Sequence, residues 1–145
     1  MIAEADILVT SARARAFPAL GLSADALFAR NPGLVWVAIT GHGWASDRVG
    51  FGDDTAAAGG LVRWTAEGAP RFVGDAVADP LTGMAAAAVA MAALAGGGGV
   101  LVDAALSRVA AASRINLSHE DLIGGAAQAA YIGLDHEKGA MLRPE

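Results

Sequence analysis

The chain contains no cysteine. That excludes disulfides, thiol nucleophiles and thiolate metal sites, and it leaves the redox compartment open. Charge is also scarce: 17% of the residues are charged and 54% are hydrophobic. So apolar a composition excludes a disordered chain. The balance is acidic, at −5, and the few arginines are scattered and form no stripe. A nucleic-acid partner is therefore not expected. The opening Met1-Ile2-Ala3-Glu4-Ala5-Asp6 holds two acids and no basic residue, which does not read as a secretory signal. No internal repeat is present, and no Ser/His/Asp order points to a hydrolase elbow. His119-Glu120 and His136-Glu137 have no second histidine at metal spacing, so no metal site is expected. The run Gly96-Gly97-Gly98-Gly99 has no Lys-Ser/Thr after it and reads as a turn, not a phosphate loop.

The 145 residues suit one domain with one moderate core. Alanine and glycine supply much of the apolar fraction, so segments should pack closely. Residues 80–102 hold no charge, which is long enough to span a bilayer. Alanine and glycine dominate the stretch, the four glycines break it, and no basic or aromatic anchors flank it. It reads instead as a buried helix, a turn and a buried strand, with no membrane partner.

Short apolar runs at 5–10, 34–40 and 100–104 predict strands. Ser23 caps a short helix that Asn31-Pro32-Gly33 stops. Asp53 or Asp54 offers a cap for a small helix through Gly60, a reading preferred to a hard-cation site. Segments 61–65 and 71–73 can pair around a turn at 67–70. Further helices are expected over 81–95 and 106–114, and Ser118-His119-Glu120-Asp121 offers one more cap. From Gly133 the chain is polar, and a frayed end is expected. Trp36, Trp44 and Trp64 read as core and interface packing. Strands alternating with helices predict an α/β fold: a Rossmann-like parallel sheet with flanking helices, over 5–114, and a helical or irregular tail over 115–145. Ligands in such folds sit beyond the C-terminal ends of the strands. The loop Gly41-His42-Gly43-Trp44 follows the predicted strand 34–40 at such an end. His42 can polarise a carbonyl, pair with a phosphate, or simply be a solvated loop residue.

The most informative stretch is Ala78-Asp79-Pro80-Leu81-Thr82-Gly83-Met84. Asp followed by Pro is a helix-start signal, with Asp79 as N-cap and Pro80 as the first helical residue. The helix N-terminus favours an ionised carboxylate, and a poorly hydrated carboxylate there can act as a nucleophile. Asp-Pro caps are common, so the pair alone also reads as a plain cap.

The ordered set Ala5-Asp6-Ile7-Leu8-Val9, Leu20-Gly21-Leu22, Ala29-Arg30-Asn31-Pro32, Ile39-Thr40-Gly41-His42-Gly43, Gly50-Phe51, Asp79 with Thr82-Gly83-Met84, and Gly97-Gly98-Gly99 through Val102-Asp103 resembles the family III CoA-transferases. That family includes formyl-CoA transferase, CaiB-type carnitine CoA-transferases and α-methylacyl-CoA racemases. The likeness covers residues from about Ala5 to Ala112. It implies that Asp79 is the nucleophile, passing through an acyl–aspartyl anhydride and an aspartyl–CoA thioester. It implies that Arg13, Gly41, His42, Gly43 and Phe51 line the coenzyme A side. It also implies acyl-CoA and a carboxylic acid as substrates, no tightly bound cofactor, a cytoplasmic location, and a homo-oligomer or a complementary CoA-transferase chain as partner.

Three departures stand out. Thr10-Ser11-Ala12 replaces the family's Glu-Asn-Phe, which alters part of the coenzyme A wall, although Arg13 matches the family's arginine. Phe51 stands where racemase members carry a histidine, which argues against racemisation. Family members are also several hundred residues long, so this chain is expected to be a piece of a split enzyme, a truncated gene product or an excised fragment. Two rival functions follow: a catalytically inert fragment or subunit that needs a partner chain, and an acyl-CoA racemase or isomerase.

Overall fold

The computed structural model describes residues 2–114 and the strand residues 133–135 and 140–141. Its centre is a sheet in which β1 (Ile7–Thr10), β2 (Val35–Thr40) and β5 (Val100–Ala105) run parallel in that order. Val37 of β2 is paired with both Val9 and Val102. Strands β6 (Gly133–Asp135) and β7 (Ala140–Met141) extend the sheet antiparallel beyond β5. The expectation of a parallel sheet therefore holds for the first three strands. The frayed end expected from Gly133 does not anticipate the last two, since strands of two or three residues carry little local signal. The Ser118 cap and the His119 and His136 pairs lie outside the described residues.

Alternation along β2 sends its side chains to two cores. Val35 and Val37 pack with Val102, Ala104 and the buried alanines of α4 (Ala78–Ala95). Leu34, Trp36 and Ala38 face the other way, onto Phe17 of α1 (Ala16–Ala19) and Phe28 of α2 (Ala24–Arg30). Both faces are covered, which is why the strand sequences are continuously apolar. Ser23 caps α2 as expected, accepting the Ala26 N–H at 3.2 Å. Strands β3 (Val62–Trp64) and β4 (Pro70–Phe72) form the expected hairpin, Val62 opposite Phe72. Gly97, Gly98 and Gly99 all hold positive φ and turn the chain from α4 into β5.

The start of α4 differs from the sequence reading. The helix begins at Ala78, with Val77 at the cap position. Asp79 and Pro80 therefore lie inside the first turn. The cause is tertiary: Asp53, in α3 (Gly52–Ala58), accepts the Ala76 N–H at 2.7 Å and anchors the segment before the helix. Asp79 N–H then closes a turn onto the Ala76 carbonyl at 2.9 Å. Asp54 takes the other duty, accepting the Phe51 N–H at 2.6 Å where α3 begins.

Helix α4 is long and apolar enough to cross a membrane by length and composition. In the fold it lies on the sheet through Ala85, Ala86, Val89 and Ala90, while Met84 and Met91 remain exposed. An apolar groove of about 430 Å³ runs between α4 and β1, the end strand of the sheet among the described residues, lined by Ile7, Val9, Gly83, Ala87 and Met91 among others.

Candidate functional site

The C-terminal ends of β1 and β2 open onto a cavity of about 190 Å³. This is where a parallel α/β sheet is expected to hold a ligand. Arg13, Gly41 and Gly43 line it, together with Thr40, Arg48 and Gly50. Arg48 was not anticipated. It comes from a polar loop whose path only the fold reveals. Arg13 and Arg48 both line this opening, and neither forms an ion pair among the described residues. Two such groups suit an anionic ligand, since guanidinium matches phosphate and carboxylate geometry.

His42 does not line this cavity. Its Nε2 is buried and lacks a hydrogen-bond partner among the described residues. The atom lies against Gly50, where an added Cβ would stand 3.0 Å away. Gly41 packs on the same residue, with space for a Cβ only 2.8 Å from the Gly50 Cα. Phe51 is the N-cap residue of α3 and is 71% exposed.

Asp79 stands outside the cavity lining but adjoins its wall. Gly50 belongs to the cavity, and Gly52, two residues on, packs directly against the Asp79 carboxylate. The segment Gly50-Phe51-Gly52 thus links the glycine loop to Asp79. Asp79 is exposed in the first turn of α4. Its side chain makes no capping hydrogen bond among the described residues. One turn further on, Thr82 is buried with its Oγ1 unpartnered among the described residues.

Gly52 is a close-approach position that the sequence did not mark. A Cβ there would overlap Asp79 Oδ2 and stand 2.7 Å from the Ala76 Cβ. Gly52→Ala is expected to destabilise the fold by about 1–3 kcal/mol, the usual cost of overpacking. Gly83, inside α4 with nothing within 4 Å of an added Cβ, provides the contrast. Gly83→Ala is expected to stabilise by about 0.5–1 kcal/mol through helix propensity. Urea unfolding of both variants checks the pair, and the same sign for both would contradict the packing described.

The family model for CoA-transferase family III matches residues 1–143. Two solved structures are similar over most of this chain. A CaiB/BaiF family protein from Brucella suis superposes with a TM-score of 0.72 at 28% identity, covering 86% of this chain and 35% of that one. Rv3272 from M. tuberculosis superposes with a TM-score of 0.66 at 29% identity, covering 75% of this chain and 33% of the other. The chain thus spans about a third of the length of these structures. No curated protein matches.

Proposed function

This chain belongs to CoA-transferase family III, and on that premise we propose that it serves the transfer of coenzyme A from an acyl-CoA to a carboxylic acid, with Asp79 as nucleophile. The observation that carries the reading is the position of Asp79: an exposed carboxylate in the first turn of α4, packed on Gly52 and joined through Gly50 to a cavity lined by Arg13 and Arg48. Arg13 and Arg48 hold the anionic groups of coenzyme A. Gly41 and Gly43, which line the cavity, bring backbone without side-chain bulk close to the thioester arm.

In the reaction, an Asp79 oxygen attacks the thioester carbonyl. The C–S bond breaks, and an acyl–aspartyl anhydride forms with release of the coenzyme A thiolate. The thiolate attacks the aspartyl carbonyl of the anhydride, which frees the donor carboxylate and leaves an aspartyl–CoA thioester. The acceptor carboxylate then attacks that thioester and expels the thiolate. The thiolate finally takes the new acyl group and regenerates the Asp79 carboxylate. Each step exchanges one acyl bond for another, and the carboxylate serves as both nucleophile and leaving group.

The test is intact-protein mass spectrometry after incubation with a panel of acyl-CoAs, wild type beside Asp79→Ala. A mass gain of acyl or coenzyme A size in the wild type alone supports the reading. A gain that persists in Asp79→Ala contradicts it. The coverage of a third of the related structures, together with the open groove beside β1, supports a second reading in which the chain acts with a complementary polypeptide or a second copy. No gain with the chain alone, followed by a gain once the complementary chain is added, favours that reading. The arginines give a separate prediction. Arg13→Ala and Arg48→Ala are each expected to weaken coenzyme A binding about ten-fold, the loss of one charge-assisted contact. Calorimetric titration in low and high salt checks this, and unchanged affinity in both variants would remove the arginines from the site.

A further inference from the structure

The loop that walls the cavity is held from beneath by one buried carboxylate. Asp103, on β5, is 4% exposed. Its Oδ1 accepts the Thr40 hydroxyl at 2.7 Å. Its Oδ2 accepts the Trp44 N–H at 2.7 Å and pairs with the Arg108 guanidinium of α5 (Leu106–Ser113). Thr40 Oγ1 in turn accepts the Gly43 N–H at 3.0 Å. A carboxylate has only acceptors, and the three donors arranged around it engage both of its oxygens. Gly43 has a φ of +105°, and an added Cβ would overlap the Arg108 guanidinium. The loop therefore sits directly on the ion pair. The Gly41 carbonyl accepts the Ser107 N–H at 3.1 Å, a further tie to α5.

We infer that Asp103, with Arg108 and Thr40, is the positioning group of the cavity wall: it fixes the backbone of Gly41 to Trp44 in the geometry that meets the ligand. A charged side chain in the middle of a buried parallel strand is costly unless it is paired. Among the described residues, each of its hydrogen bonds reaches the glycine loop, the residue before it, or the arginine against which the loop lies. An apolar residue in its place would fill the strand but leave the Trp44 N–H and the Thr40 hydroxyl without acceptors. The assignment of that wall to coenzyme A rests on the proposed function. The clamp itself does not.

The experiment compares wild type, Asp103→Asn and Thr40→Val in the full chain by amide hydrogen exchange, with coenzyme A titration beside it. In Asp103→Asn an amide group faces at least one of the donors. The Gly43 and Trp44 amides are then expected to exchange at least about ten-fold faster, as befits loss of a charge-assisted bond, while Val37 and Val102 in the sheet keep their rates. Thr40→Val is expected to release the Gly43 amide while the Arg108 pair stays intact. In both variants coenzyme A affinity is expected to fall about ten-fold. Unchanged loop exchange in a folded Asp103→Asn overturns the inference. So does a uniform acceleration of loop and sheet amides, which would mark a purely structural role, and so does a loosened loop with unchanged affinity. If Asp103→Asn does not fold, the Gly43 amide in Thr40→Val decides. If the wild type binds no coenzyme A, the proposed function falls, and the loop exchange still decides for or against the clamp.

Discussion

Asp79→Asn is expected to abolish coenzyme A exchange, by about 10³-fold or more, while leaving the fold in place. Loss of the attacking group in covalent catalysis has effects of this order or greater. The amide nitrogen of asparagine is delocalised and its oxygen carries no full charge, so neither attacks a thioester. The fold is expected to survive because Asp79 is exposed and does not cap α4. The Asp53 carboxylate anchors Ala76 and so the start of the helix. What Asn removes is a favourable charge at a helix N-terminus, a modest and salt-screened effect. The assay follows transfer between an acyl-CoA and a labelled carboxylate, alone and with a complementary chain, while circular dichroism reports folding. Exchange that survives in Asp79→Asn would remove this residue from the chemistry. Asp79→Glu separates position from charge. It keeps the carboxylate but extends it toward Gly52, which already lies against Oδ2, so it too is expected to lose most of its activity.

The largest stability effect is expected at Trp36. The residue is fully buried near the start of β2. Its ring meets Phe17 edge-on at 4.9 Å and Trp44 edge-on at 5.3 Å, and its Nε1–H donates to Thr10 Oγ1 at 2.9 Å. Trp36→Ala removes the centre of this cluster and leaves a cavity beneath the site loop, because Trp44 is part of that loop. A cost of about 3–5 kcal/mol is expected, as for other buried aromatic truncations. Trp64, which is 68% exposed on β3, is the comparison. Its truncation is expected to stay within about 0.5 kcal/mol, the usual range for surface positions. Urea denaturation of the two variants measures the difference, and equal losses would contradict the packing described. Trp36→Ala is also expected to loosen coenzyme A binding, because Trp44 loses an aromatic support.

Much of the frame was legible in the sequence for a simple reason. Strands covered on both faces must be apolar at every position, so Val35-Trp36-Val37-Ala38 and Val100-Leu101-Val102 stand out without any alternation. Ser23 before Ala24 and the stop at Asn31-Pro32-Gly33 likewise act through neighbouring residues. The hairpin of β3 and β4 followed from a turn at 67–70. What the sequence misplaced was the start of α4, because the residue that anchors it, Asp53, lies 23 positions upstream of its partner Ala76. It missed Arg48, an unremarkable charge in a polar loop until the fold turns that loop toward Arg13. Asp103 did leave a signal, a lone carboxylate in the run Val-Leu-Val-Asp-Ala-Ala. A charge in a buried strand requires a partner, but the pattern does not name Arg108, Thr40 or Trp44.

By itself the sequence determined the class of the fold, the order of the parallel strands' segments, and the carboxylate at the head of the alanine helix, because period, turn chemistry and helix signals all act within a few residues. The tertiary structure alone decided that Gly52 seats Asp79, that Gly50 ties it to the cavity of Arg13 and Arg48, and that Asp103 underlies the loop. Those relations join residues dozens of positions apart, and only the packing of helices on a twisted sheet brings them within hydrogen-bonding or van der Waals reach.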